Sequence, residues 1–402
     1  MAHALEPARF LQDLAINCQL LACVQLLCEF QVLACLPPHD AVACEDVAEI
    51  VGMPAVQLAA VVRMTASVGF LSMPRPGVVA HSPLSSQFAA DVAVLDAFAF
   101  LADTLAPCAM RMAEATRRES GASPYGLVFG GTSDYSTEVQ HRWRLQRQAV
   151  AHSQLTMGNN TDQDTQRSHL LASLDWTILG AATVVDVEGP SIALAVALAS
   201  DHAALSVIVQ TADDMSETVP PHLATRIQLQ KRPSERQPME DASVYVVHLA
   251  SPSLTQPERS TLLDAVAHNL AIHMPILRHN PLARVVLLAR VLPEVAAPPK
   301  ANNNNATNES NTLMPPQCLA LYRNLVLHQL TQGRDHERAD VLECVRRTSD
   351  GQGFLVVTNE IYGSNSAGMM AFEIQYLASS IGHLGFPSSS APNGGETSQV
   401  ES

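Results

Sequence analysis

The residues best suited to chemistry lie in the stretch Ala181–Ala199, which reads AATVVDVEGPSIALAVALA. A short apolar run, Thr183–Val187, precedes a turn at Glu188-Gly189-Pro190, and a helical run, Ile192–Ala199, follows it. Strand, tight turn and helix form the nucleotide pocket of an open α/β sheet, beyond the carboxyl end of its first strand. Such a turn needs glycines to bend sharply and free N–H groups at the helix start. Here the turn has one glycine, one acid and one proline. The order of elements is that of a cofactor-binding loop, but most of the residues that would bind the cofactor are missing.

Cysteines are the other candidates for chemistry, and the chain has eight. Five of them fall in apolar, helical N-terminal sequence: Cys18, Cys23, Cys28, Cys35 and Cys44. Their spacing gives neither a Cys-x-x-Cys pair nor a Cys/His set. We therefore expect buried, reduced thiols and no metal site.

Composition limits the classes of partner. The 402 residues are 47% hydrophobic and carry a formal charge of −15, which favours a sizeable core and disfavours direct nucleic acid binding. The N-terminus lacks a secretory signal because Glu6, Arg9 and Asp13 interrupt it. No uncharged apolar stretch reaches the ~20 residues that span a bilayer. We expect a soluble intracellular protein that does not bind membranes.

The N-terminal part predicts an interaction module. Residues 8–36 read as one or two helices that are apolar nearly all round, which indicates a covering partner subunit. Glu45–Val51 predicts a short helix ended by Gly52, and a second helix runs from Pro54 to about Ser67. Two short strands follow, at 69–71 and 78–82, which completes a winged-helix pattern. The second helix carries only Arg63 as a basic residue, which favours dimerisation over DNA reading.

The middle of the chain predicts mainly helix. We expect helices over Ala90–Arg118 and Ser136–Met157, a loop over Ser123–Phe129 and a turn over Asn159–Arg167.

The rest of the chain predicts an α/β domain with a mostly parallel sheet. Strands and helices alternate over Thr183–Val187, Ala193–Ala199, Leu205–Gln210, a short helix near Met215, Arg226–Leu229, Ser243–Leu249, Ser260–Asn269 and Arg284–Ala289. Helices resume at Leu319–His328 and Ala339–Thr348, and Phe354–Glu360 and Met370–Tyr376 are expected to close the sheet as an antiparallel pair.

Four segments follow from this pattern. They are a winged-helix-like dimerisation domain (1–110), a helical connector (111–180), an α/β domain (181–387) with a disordered insertion at 295–316, and a disordered tail (388–402). The Asn302–Asn305 run places the insertion.

Three motifs in register resemble the fungal and plant O-methyltransferase family that uses S-adenosylmethionine, over about residues 20–380. They are DVAEIVGMPAVQLAAVVRMTASVGFL with the later HSPLSSQFA, the loop VDVEGPSIALAVALA (Val185–Ala199), and RVLPE (Arg290–Glu294). The resemblance implies a Rossmann-like methyltransferase sheet with an N-terminal helical winged-helix dimerisation domain.

The positions that carry the family's function are altered. Its loop glycines correspond to Glu188, Gly189, Pro190, Ser191 and Ala193. Gln210 stands where an acid holds the ribose, and Gln230-Lys231-Arg232 replaces a Gly-Asp pair. The histidine base falls near Ser251, while His248 is expected to be a strand residue. These losses together predict no catalytic or cofactor-binding residue and no cofactor.

Catalytically silent members of this family, of the aflatoxin-pathway coactivator type, share these features. The resemblance implies a transcriptional coactivator that assists a pathway-specific zinc-cluster transcription factor in switching on a fungal polyketide cluster. It also implies a homodimer or heterodimer in the nucleus and cytoplasm.

Two alternatives stay open at this point. One is an active O-methyltransferase that acts on a phenolic polyketide. The other is a scaffolding subunit that dimerises with an active homologue.

Overall fold

The computed structural model describes residues 7–118, 121–130, 134–157, 160–211, 217–233, 235–249, 254–255, 262–293, 316–363 and 368–379. The expected helix near Met215, the tail at 388–402 and the insertion at 295–316, apart from Pro316, lie outside these residues. The boundaries of the four segments stay predictions.

The N-terminal part packs helices against a small antiparallel sheet. Its elements are α1 (Pro7–Glu29), α2 (Val32–Cys35), β1 (Val42–Ala43), α3 (Cys44–Val51), α4 (Ala55–Ser67), β2 (Leu71–Arg75) and β3 (Val78–His81), and the strand order is β1-β3-β2. Gly52 ends α3 because its φ of 68° is one that glycine adopts without strain. The first expected strand, 69–71, instead begins at Leu71 and runs to Arg75. Assignment to the winged-helix class stays a prediction.

Helix α1 presents an apolar face that the described residues leave open. Cys23, Val24 and Leu27 are buried, whereas Leu11 and Leu14 are 62% and 57% exposed. By length and composition alone, α1 and the helical stretch Val92–Arg117 could each cross a membrane, and α3 with α4 would make a third, bent candidate.

The N-terminal thiols are only partly buried. Cys23 and Cys44 are buried as expected, but Cys18 is exposed because it lies on the open side of α1, and Cys28 and Cys35 are half-buried. Burial, with the nearby charge of Asp103, raises the pKa of the Cys28 thiol to about 11.

A series of helices connects the N-terminal part to the α/β part of the chain. They are α5 (Pro83–Ala90), α6 (Val92–Ala99), a π-helical turn (Phe100–Leu105), α7 (Ala106–Ala109), α8 (Met112–Arg117), α9 (Pro124–Phe129), α10 (Tyr135–His141), α11 (Trp143–Met157) and α12 (Asn160–Ala172). The helix expected over Ser136–Met157 is thus broken at Arg142.

Two predictions in this region are wrong. Ser123–Phe129 is helix α9 with its cap and not a loop, because the Ser123 hydroxyl accepts the Gly126 N–H at 3.1 Å and Pro124 suits the first turn. Asn159–Arg167 is not a turn, since α12 begins at Asn160 and its later residues Leu170 and Leu171 are buried in a core.

A seven-stranded sheet organises the rest of the chain. Its elements are β4 (Ala182–Val187), α13 (Ala193–Asp201), β5 (Leu205–Thr211), β6 (Ile227–Lys231), β7 (Val244–His248), α14 (Leu262–His279), β8 (Arg284–Arg290), α15 (Pro316–Thr331), α16 (Arg338–Arg347), β9 (Gly353–Tyr362) and β10 (Met369–Ala378). The order is β6-β5-β4-β7-β8-β10-β9, with β9 and β10 antiparallel. The α/β prediction is confirmed, including the closing antiparallel pair.

Two elements differ in extent from expectation. The strand expected at Arg226–Leu229 lies at Ile227–Lys231, in register with β5. The helix expected at Ser260–Asn269 continues through Pro275 to His279, because its apolar side packs against the sheet for several more turns.

The sheet has a separate apolar core on each face. One core contains Val185, Val187 and residues of α14, and the other contains Val184 and residues of α12 and α13. Successive side chains of a strand point to opposite faces of the sheet, so alternate residues of each strand join alternate cores. This rule also places the polar residues at the strand ends.

Candidate functional site

The carboxyl ends of β4, β5 and β7 meet at one edge of the sheet, where an α/β protein binds ligands. By strand alternation, Asp186 and His248 face the side covered by α12 and α13. Gln210 faces the opposite side, which α14 covers. All three side chains are buried. The site is therefore a set of buried polar groups on both faces of this edge.

Glu188 begins the turn in a strained conformation. Its φ of 57° is in the left-handed region, which a non-glycine residue enters at a cost. Its backbone N–H donates to the Gln210 carbonyl at 2.9 Å. Its carboxylate lies 3.2 Å from the buried Arg232 guanidinium, which fixes the turn to the end of β6. Burial lowers the pKa of Arg232, and the charge of Glu188 opposes that shift.

The turn needs a glycine at position 189 for a steric reason. A Cβ at this position would lie 2.8 Å from the Asp186 carboxylate, closer than a carbon atom tolerates. The one remaining glycine of the loop thus serves packing within the chain.

The start of α13 is occupied by the chain's own acids. The Ile192 N–H donates to the Glu217 carboxylate at 2.9 Å. The Ser191 hydroxyl donates to Asp164 at 2.7 Å and accepts the Ala193 N–H at 3.3 Å. Free N–H groups at a helix start are what attract an anionic ligand. These N–H groups are already satisfied by Glu217 and Ser191.

Gln210 is likewise committed to internal bonds. Its amide nitrogen donates to the side-chain oxygens of Gln230 and Gln237, each at 2.8 Å. Gln237 lies 3.3 Å from Nε2 of His273, whose Nδ1 is 2.7 Å from the Asn269 carbonyl. Burial lowers the pKa of His273 to about 4, so this ring is neutral and Nε2 accepts from Gln237. The Gln210 oxygen Oε1 is buried and has no hydrogen-bond partner among the described residues, so a neutral amide oxygen stands where the family has a charged acceptor for the ribose.

The pairing of Asp186 with His248 is a feature that sequence reasoning missed. His248 lies in β7 as predicted, and its Nε2 donates to Asp186 Oδ1 at 2.5 Å. Asp186 Oδ2 and His248 Nδ1 are buried, and neither has a hydrogen-bond partner within the described part of the chain. The available signal was that both residues lie at or next to the end of a buried strand, but only the strand order makes those strands neighbours. Ser251, the residue expected near the base position, lies outside the described residues.

These residues do not fit S-adenosylmethionine. A ligand carboxylate would meet Glu188 and Glu217, and the ribose hydroxyls would meet the neutral amide of Gln210 in place of a charged acid. The two glutamate carboxylates would repel the carboxylate of the ligand. We therefore derive no methyl-transfer chemistry at this edge.

Curated relatives span nearly the whole chain. The dothistromin biosynthesis regulatory protein aflJ of Dothistroma septosporum is 34% identical over 410 residues, covering 94% of this chain and 86% of that protein. The monodictyphenone cluster transcriptional coactivator mdpA of Emericella nidulans is 34% identical, with 93% and 85% covered. The aflatoxin cluster transcriptional coactivator aflS of Aspergillus parasiticus is 35% identical, with 94% and 86% covered. No family model matches the chain.

Solved structures with this fold include methyltransferases. The mitomycin 7-O-methyltransferase MmcR has a TM-score of 0.54 at 14% identity, covering 92% of this chain and 98% of that one. The N,N-8-amino-8-demethyl-D-riboflavin dimethyltransferase RosA of Streptomyces davawensis has a TM-score of 0.56 at 12% identity, with 92% and 99% covered. The expected Rossmann-like methyltransferase fold is confirmed.

Because Glu188, Glu217 and Gln210 do not fit the cofactor, we expect that the purified protein does not bind S-adenosylmethionine. Titration calorimetry should give no saturable heat at cellular cofactor concentrations, because Glu217 occupies the Ile192 N–H and Gln210 replaces the charged acid that would hold the ribose. An active O-methyltransferase titrated alongside is the positive control. A dissociation constant in the micromolar range would contradict this account of the edge.

Asp186→Ala should lower the free energy of unfolding by about 3 kcal/mol, because it leaves His248 buried without its partner. Urea unfolding measures the change. Glu343→Ala is the matched control: it removes an acid from an exposed ion pair and should change stability little. Equal effects of the two substitutions would show that the buried pair contributes no special stability.

Proposed function

Because the chain belongs to the family of fungal transcriptional coactivators of secondary-metabolite clusters, we propose that it is a pathway-specific coactivator without methyltransferase activity. It acts by binding a zinc-cluster transcription factor and so helps to switch on a polyketide cluster. Its place of action is the nucleus.

The observation that carries the proposal is the Glu217 carboxylate on the Ile192 N–H at 2.9 Å. In an enzyme of this fold, the start of this helix must stay open to the cofactor. Here an internal bond takes that place. The closed edge supports a role in which the fold is a scaffold for binding surfaces and not a catalyst.

Charge supports a basic partner. The chain carries a formal charge of −15, which disfavours direct contact with DNA phosphates. A zinc-cluster DNA-binding region is basic, so complementary fields would speed its association with this surface. The DNA contacts then belong to the transcription factor.

The open face of α1 supports a dimer. Phe10, Leu11 and Leu14 are each more than half exposed, and Ile16 on the following turn is 45% exposed. A contiguous apolar face of this kind is normally covered by another chain. A second copy of this chain or a related subunit would cover it.

The double substitution Leu11→Ser/Leu14→Ser should convert the dimer to a monomer, because a stable interface buries about 1,000 Å² or more and these residues supply its apolar centre. Light scattering after size-exclusion chromatography measures the mass. Leu282→Ser is the matched control, since Leu282 is 83% exposed in a loop distant in sequence from α1. A wild-type monomer, or a double variant that stays dimeric, would refute the α1 interface.

Deletion of the gene should lower many transcripts of one biosynthetic cluster together. A coactivator raises transcription of the whole cluster, so no single intermediate should accumulate when it is lost. RNA sequencing and metabolite profiling of the deletion strain provide the two readouts. Normal transcripts with one accumulated, unmethylated compound would establish the enzyme alternative instead.

A further inference from the structure

Arg290 is a buried charge at the same edge of the sheet. It is the last residue of β8, and by strand alternation it shares a face with Val286 and Leu288, the face that α12 and α13 cover. It is only 7% exposed. Its Nε has no hydrogen-bond partner, and it forms no ion pair, among the residues that the structure describes.

Asp335, the acid whose charge acts on Arg290, already has a partner. Asp335 accepts both Nε and a terminal nitrogen of Arg323, at 2.9 and 2.5 Å, and both side chains are buried. The Leu292 N–H donates to the His336 carbonyl at 2.9 Å, which holds the Asp335 segment beside the end of β8. Burial lowers the pKa of Arg290 to about 10; the charge of Arg323 adds to this shift, and Asp335 opposes it.

A third arginine adds to the positive field. Arg167 of α12 also disfavours the charged form of Arg290, and it is itself paired with Asp164 at 2.7 Å. In this group Arg323 is matched by Asp335 and Arg167 by Asp164, which leaves Arg290 as the one unmatched charge. A buried ion without a partner is costly, so proteins that keep one usually pair it with a ligand.

The neighbouring strand ends in a second unpartnered group. His248 closes β7 on the same face, and its Nδ1 is buried with no hydrogen bond within the described part of the chain. Because β7 pairs directly with β8, the two orphaned nitrogens belong to adjacent strands at one edge. Because Nε2 of His248 donates to Asp186, Nδ1 of the neutral ring is an acceptor, and Arg290 is the donor that a ligand anion would use.

The geometry points to a small organic carboxylate: we propose that one binds at the carboxyl ends of β7 and β8, with its anion on Arg290. The planar guanidinium matches a carboxylate in a two-bond contact. A single unmatched charge suits a monoanion better than a phosphate dianion. Leu288 and Met369 flank this end of the sheet with apolar surface for the body of the ligand.

Thermal unfolding with benzoate as the probe tests the proposal. Benzoate in excess should raise the melting temperature of the wild type by on the order of 2 °C, because it binds only the folded state. Neutral benzamide and sodium chloride at equal ionic strength should not. Arg290→Met should lose the benzoate response and melt at the wild-type temperature or higher, since an unmatched buried charge is gone. Arg346→Met, which removes an exposed arginine, should respond like the wild type.

Three results would overturn the proposal. They are a wild type that responds to neither benzoate nor acetate, an Arg290→Met variant that keeps the benzoate response, and an Arg290→Met variant that melts well below the wild type. A larger shift with inorganic phosphate than with benzoate would refute the carboxylate class. None of these outcomes bears on the coactivator role, which has its own readout in cluster transcripts.

Discussion

The bond from the Ile192 N–H to the Glu217 carboxylate is the constraint on which the cofactor edge depends. A helix start carries partial positive charge and unsatisfied N–H groups, so something anionic must sit there. Once the chain supplies that anion itself, the turn before the helix no longer needs the glycines that admit a ligand. Glu188 and Pro190 can then occupy it, and Arg232 can balance the added acid. The start of α13 is thus closed by groups of the chain itself.

The fold survives this change because its stability comes from elsewhere. Each face of the sheet has its own apolar core, and neither core includes a residue of the turn Glu188-Gly189-Pro190. Buried apolar area stabilises the domain whether or not the strand ends bind a ligand. A methyltransferase architecture can therefore persist while its surfaces serve transcriptional regulation. Activity is a property of the site, and a fold alone does not determine it.

Sequence patterns predicted the elements that depend on local periodicity. The β-branched run at Thr183–Val187 and the alternation after it were sufficient for the parallel sheet. The helix at α9 was missed because its cap is one serine whose effect depends on a hydrogen bond. The polar helix α12 was missed because its start carries no apolar periodicity and its burial comes from tertiary packing.

The site was less predictable than the fold. The altered loop positions were visible in the sequence, but what replaces the ligand was not. Glu217 lies 25 residues beyond Ile192, and Gln237 lies 27 residues beyond Gln210, so both bonds require the folded sheet. The pairing of Asp186 with His248 depends on β4 and β7 being neighbours. Such contacts follow from register and strand order, which one sequence does not encode locally.

The most direct measurement of whether the protein works without a cofactor is the cluster transcript level in a strain whose only copy carries Pro190→Trp. Pro190 is exposed in the turn, so the indole would block the approach of a cofactor without disturbing either core. The account predicts wild-type transcript levels at normal protein abundance. Loss of cluster transcripts at normal abundance would contradict it.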